Sequence, residues 1–210
     1  MRRLRAAALV LVGAALLGLA AGEARGEGVV VALGDSLTAG LGVAADEAFP
    51  ARLQARLRAE GYDYRVVNAG VSGDTTAGGL RRVDWALRAN LEVVIVALGA
   101  NDGLRGQSPQ AIRANLEEIV ARFQAAGARV LLVGMRLPPN YGAEYTKEFE
   151  AVFPAVARRA KIALMPFLLD GVAADPRLNQ ADGIHPTAAG QQMIADRLWP
   201  YLRPLLRPIK

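Results

Sequence analysis

Five short runs of β-branched and aliphatic residues, separated by longer segments of helical period, restrict the folds open to this chain more than any other feature. The runs are Val29 to Leu33, Arg65 to Asn68, Val93 to Leu98, Arg129 to Val133 and Ala163 to Phe167. Each is near-continuously apolar, as strands buried on both faces must be, and such strands form parallel sheets covered by helices. The intervening segments supply the helices. Ser108-Pro109 is an N-cap with a first-turn proline, Ile112, Leu116, Ile119, Val120 and Phe123 share one face, and Gly127 ends the run. The same spacing predicts helices through Leu80, Val83, Leu87 and Leu91, through Tyr145, Phe149, Val152, Phe153 and Val156, and from about Thr187 to Leu202. No internal repeat or linker divides residues 27–210, so a single-domain α/β/α sandwich is expected there.

Residues 1–26 stand apart. Arg2, Arg3 and Arg5 precede an uncharged, largely apolar stretch from Ala6 to Ala21, and small residues follow at Ala20-Ala21-Gly22 and Ala24-Arg25-Gly26. That is the pattern of a secretory signal. Its 16-residue apolar run is shorter than the roughly 20 residues that span a bilayer. Cleavage near residues 22–26 is therefore expected over a stable membrane anchor, and the body should be periplasmic or secreted. Removing residues 1–26 lowers the formal charge from +5 to +2, which takes away the main ground for a nucleic-acid partner. Cysteine is absent, which excludes disulfides, thiolate nucleophiles and cysteine-ligated metals.

In an open parallel sheet ligands bind beyond the carboxyl ends of the strands, so the residues that follow each strand are the informative ones. Here they are polar and glycine-rich: Gly34-Asp35-Ser36-Leu37-Thr38, then Asn68-Ala69-Gly70-Val71-Ser72-Gly73-Asp74, then Gly99-Ala100-Asn101-Asp102-Gly103, and after the fifth run Asp182-Gly183-Ile184-His185-Pro186. His185 is the only histidine, so any histidine-dependent proton transfer must use it. Asp182, three residues earlier, can accept the ring N–H, fix the tautomer and stabilise the imidazolium. A serine hydroxyl needs such a base to become a nucleophile, and Ser36 sits at a strand end where it either does this or caps a helix. Thr38 stands where the Gly-x-Ser-x-Gly elbow requires its second glycine, so a different serine scaffold is indicated. Gly70 through its backbone N–H and Asn101 through its side-chain amide are candidate donors to a developing oxyanion, although both also lie in ordinary turn sequences.

Taken together, Gly-Asp-Ser-Leu at 34–37, Gly70, Gly-Ala-Asn-Asp at 99–102 and Asp-Gly-Ile-His at 182–185 resemble the motif blocks of the SGNH, or GDSL, hydrolases. The stretches 71–76, 101–106 and 136–142 are similar to the bacterial periplasmic branch of thioesterases, lysophospholipases and arylesterases. The resemblance implies a flavodoxin-like five-stranded sheet in order 2-1-3-4-5, a monomer, and no metal or cofactor. It implies Ser36 as nucleophile, Asp182 and His185 completing a triad, and Ser36 N–H, Gly70 N–H and the Asn101 side chain as the oxyanion hole. Asp35 and Asp102 are then expected to brace loops rather than to transfer protons.

The expected activity is hydrolysis of small-molecule acyl esters or thioesters. Leu104, Leu137, Pro138 and Tyr141 follow the third and fourth strands and are candidates for the walls of an acyl groove, or for simple loop packing. Two rivals remain at this level. A carbohydrate O-acetylesterase would share the motif blocks but need a polar groove, and a non-catalytic flavodoxin-like module would cradle a phosphate or flavin without needing Ser36, Asp182 and His185 together.

Overall fold

The computed structural model describes residues 26–88 and 91–208. Apart from Gly26, the signal segment expected at 1–26 lies outside the described residues.

Five parallel strands form one sheet in the order 2-1-3-4-5: β1 (Gly28–Gly34), β2 (Tyr64–Gly70), β3 (Val93–Ala97), β4 (Arg129–Val133) and β5 (Ala163–Met165). β1 is buried along its whole length, and so is β3, because helices cover both of their faces. β2 is an edge strand, and its exposed Arg65 and Asn68 follow from that position. One layer holds α2 (Phe49–Ala59) and α8 (Ala188–Leu202), which pack on each other. The other holds α3 (Thr76–Arg81), α6 (Pro109–Ala125) and α7 (Ala143–Ala160), with α6 packed on both neighbours. Ile112, Leu116, Ile119, Val120 and Phe123 line the buried side of α6, and Phe149 and Phe153 on α7 meet edge to face at 5.4 Å.

Two expected elements change, each for a local reason, and one helix is added. β5 ends at Met165, since Pro166 has no N–H to continue the ladder. The helix expected through Leu80, Val83, Leu87 and Leu91 is two short helices, α3 and α4 (Val83–Leu87), with Leu91 beyond the second. The break falls at Arg82, whose side chain turns back to the strand ends. An additional helix, α2, begins at Phe49-Pro50 with no side-chain cap and buries Phe49, Leu53 and Leu57.

The strand order creates the place for a site. β1 lies between β2 and β3, and the connections leave its two flanks in opposite directions, so a crevice opens at the carboxyl edge. There Gly34 is in register with Gly70 on one side and Ala97 on the other, which sets the three following loops side by side.

Candidate active site

Ser36 opens the short helix α1 (Ser36–Ala39) directly after β1. Asp35 is the N-cap, its Oδ1 accepting the Leu37 N–H at 3.0 Å. Ser36 therefore occupies the first helical position, where an amide has no intrahelical acceptor and points out of the helix end. Capping thus falls to Asp35, and the Ser36 hydroxyl is left for another partner.

That partner is His185. Ser36 Oγ lies 2.9 Å from His185 Nε2, and His185 Nδ1 lies 2.6 Å from Asp182 Oδ2. A proton on Nδ1 satisfies both contacts, leaving Nε2 as an acceptor for the serine hydroxyl. Asp182 Oδ1 also accepts the backbone N–H of Ile184 at 2.9 Å and of His185 at 3.0 Å. Hydrogen bonds from the His185 backbone and ring and from Ile184 hold its carboxyl well below the usual carboxylate range. Asp182 is thereby an acceptor and an orienter.

The loop carrying His185 is long, and Gln180 fixes it. Its backbone N–H donates to His185 O at 2.7 Å, and its Nε2 donates to Leu41 O at 2.7 Å and Pro186 O at 2.9 Å. Gln191, fully buried on α8, donates to Leu37 O at 3.1 Å and accepts from Phe49 N–H at 2.8 Å. The two glutamines tie both ends of the Ser36–His185 pair to the rest of the fold. Neither carries a motif, and nothing in the sequence around them marks them out.

Asn101 sits on α5 (Ala100–Leu104) after β3. Its Nδ2 donates to Asp74 O at 3.0 Å and to Asp35 Oδ2 at 3.2 Å, so the amide is held between two loops. Asp35 is completely buried, and burial pushes its carboxyl up to about 6 against the opposing pull of the Leu37 amide and His185. Asp102 accepts from Thr76 N–H at 2.8 Å and Thr76 Oγ1 at 2.6 Å, joining α5 to α3.

Gly70, a candidate oxyanion donor, has a partner within its own strand end. Its N–H already donates to Asn68 Oδ1 at 2.9 Å. A Cβ on Gly70 would fall 2.2 Å from Ala39 N, so glycine is required there for the strand end to pass against α1. Gly73, three residues on, has open space around it apart from Arg105, a φ of +80°, and an N–H without an acceptor among the described residues. Arg105 holds its carbonyl at 3.1 Å, and the next residue, Asp74, is the one whose carbonyl receives Asn101.

The candidate groove residues divide. Leu137 is buried against the helix at Gly103, and Pro138 is exposed. Leu104 and Tyr141 are half-buried, joined by a 3.3 Å bond from the tyrosine hydroxyl to Leu104 O. Three further aliphatic residues are exposed on the rim itself: Leu41 after α1, Val71 after β2, and Ile184 beside His185.

The model of the GDSL-like Lipase/Acylhydrolase family matches residues 32–193. Esterase TesA of Pseudomonas aeruginosa is 46% identical over 200 residues, covering 95% of this chain and 99% of that protein. Thioesterase 1/protease 1/lysophospholipase L1 of Escherichia coli K12 is 41% identical over 175 residues, 83% of each chain. The crystal structure of the psychrotrophic esterase EstA from Pseudoalteromonas, inhibited by monoethylphosphonate, superposes with a TM-score of 0.80 at 35% identity, covering 84% of this chain and 97% of that one.

Proposed function

Because the chain belongs to the GDSL-like lipase/acylhydrolase family of ester hydrolases, we propose that it cleaves acyl esters and thioesters through an acyl-enzyme on Ser36. The observation that carries this reading is the unbroken relay from Ser36 Oγ through the His185 ring to Asp182, at 2.9 and 2.6 Å.

His185 Nε2 takes the hydroxyl proton as Ser36 Oγ attacks the acyl carbon, and Asp182 stabilises the resulting imidazolium. The carbonyl oxygen becomes an oxyanion facing Ser36 N–H, the Gly73 N–H in place of Gly70, and the Asn101 amide, which exchanges its 3.2 Å bond to Asp35 Oδ2 for the oxyanion while keeping its bond to Asp74 O. His185 then protonates the departing alcohol or thiol. A water molecule, deprotonated by the same Nε2, then attacks the acyl carbon; the acyl–Oγ bond breaks, Nε2 returns the proton to Ser36 Oγ, and the acid leaves. Removing a donor aimed at that oxyanion raises the barrier by about 3–4 kcal/mol.

Leu41, Val71 and Ile184 favour apolar acyl esters over sugar acetates, since a polysaccharide would meet aliphatic side chains on three of the loops around Ser36. A non-catalytic phosphate or flavin module would have no use for the relay. Residues 1–26 act in this reading as a removable export signal for a monomeric enzyme formed by residues 27–210, which N-terminal sequencing of material from the periplasmic fraction tests.

The function itself is tested with p-nitrophenyl esters of increasing chain length, acyl-CoA and lysophospholipid, using the wild type and Ser36→Ala. Hydrolysis that rises with acyl length and vanishes in the variant supports the reading. Full activity in a folded Ser36→Ala protein, or a preference for sugar acetates, overturns it.

A further inference from the structure

Arg82 touches none of the reacting groups, yet its guanidinium meets the ends of the loops that carry them. Nη1 donates to Ala69 O at 2.8 Å and Nη2 to Gly34 O at 3.2 Å, the final stretches of β2 and β1. Nε donates to Asp74 Oδ2 at 2.9 Å, and Nη2 pairs with the same oxygen. The pair is largely shielded, with the Arg82 side chain 24% and the Asp74 side chain 11% exposed.

Each contact bears on the segment 71–74. Gly34 O also accepts Val71 N–H at 3.0 Å, which pins the segment where it begins. Asp74 pins it where it ends, and Asp74 O is the acceptor that holds the Asn101 amide. Gly78 makes room for the arrangement, since a Cβ there would fall 1.6 Å from Asp74 Oδ1. Gly73 lies between the two fixed points. A planar fork with several donors at set angles can hold two carbonyls and a carboxylate together, which a lysine ammonium on a flexible stem cannot. This also explains why the helix breaks at Arg82: the side chain must turn inward at the α3–α4 junction.

We propose that Arg82, locked to Asp74, is a positioning residue that sets Gly73 N–H and the Asn101 amide for the oxyanion. The inference rests on the Ser36 reading above. Its expected effect is confined to the transition state, because the same donors engage a ground-state carbonyl weakly.

The experiment compares the wild type, Arg82→Lys and the isosteric Asp74→Asn for kcat and KM on a p-nitrophenyl ester. It adds the Ki of an alkylboronic acid, whose serine adduct is a tetrahedral anion, and the melting temperature. Displacement of donors by even a fraction of an ångström should lower kcat roughly 10- to 100-fold in both variants, weaken boronate inhibition by a similar factor and leave KM nearly unchanged. A purely structural role would lower the melting temperature while kcat per folded molecule stayed at the wild-type value, and that result overturns the proposal. Asp74→Asn keeps the shape of the site if Arg82→Lys folds poorly. Ser36→Ala is run alongside: if it is inactive while both variants match the wild type, only the role of Arg82 fails, and if it is active, the reading beneath it fails.

Discussion

The backbone of Gly70 runs so close to Ala39 that any side chain at 70 would place its Cβ 2.2 Å from the Ala39 amide nitrogen. Gly70→Ala must therefore shift either the end of β2 or the helix that begins at Ser36. Forced overpacking of this kind costs about 3 kcal/mol. Gly73→Ala meets open space and only the positive φ, worth about 1 kcal/mol, and it keeps its N–H. Urea denaturation should show the larger loss at Gly70. Equal losses would mean that Gly70 is not a contact point between β2 and α1.

Asn101→Ala removes the only side-chain donor assigned to the oxyanion. A fall in kcat of roughly 100- to 1,000-fold with KM little changed is expected in steady-state assays. A rise in KM with kcat intact would place Asn101 in ground-state binding instead.

His185→Ala and Asp182→Ala should differ in severity. The base is indispensable to both chemical steps, whereas the carboxylate orients the ring, and without it the His185 backbone still accepts the Gln180 N–H at 2.7 Å while Nε2 still faces Ser36 Oγ. Asp182→Ala is expected to retain at least about tenfold more kcat than His185→Ala, in line with the unequal loss when members of a triad are removed singly. The reverse order would contradict the assigned roles.

The chain order of strands was legible because β1, β3 and β4 are buried on both faces and so read as unbroken apolar runs. The edge strand β2 was legible from Val66 and Val67 despite its polar flanks. The Ser108 cap and the α6 face were equally plain, since the 3.6-residue period and a capping hydroxyl are local properties. Helix α2 was not, because Ala48 offers no cap and its apolar stripe is narrow. Ser36, Asp182 and His185 were visible as motifs, and the structure brings them together. The partners of Gly70 were hidden, as a sequence does not show that Asn68 captures its N–H or that α1 passes within contact distance. Arg82 was hidden for the same reason: its three acceptors, on Asp74, Ala69 and Gly34, lie 8 to 48 residues away along the chain.

Asp35 supplies a pH-dependent test. Burial raises its carboxyl to about 6, so the folded state holds this proton more tightly than the unfolded chain does. Its contribution to stability is then fully present below the ordinary carboxylate value, 3.8, and is lost as pH rises through about 6. Asp35→Asn cannot ionise. The stability of the variant minus that of the wild type should accordingly increase between pH 4 and pH 7, as read from melting temperatures across that interval. A difference that stays flat would show that Asp35 does not titrate in this window.

The central claim is that Ser36 forms a covalent bond during turnover. Incubation with an alkyl fluorophosphonate, followed by proteolysis and mass spectrometry, reads this directly. One phosphonyl group on the peptide containing Ser36, absent after His185→Ala or Ser36→Ala, is the predicted result. Modification of another residue, or an active enzyme that stays unlabelled at Ser36, would contradict the account.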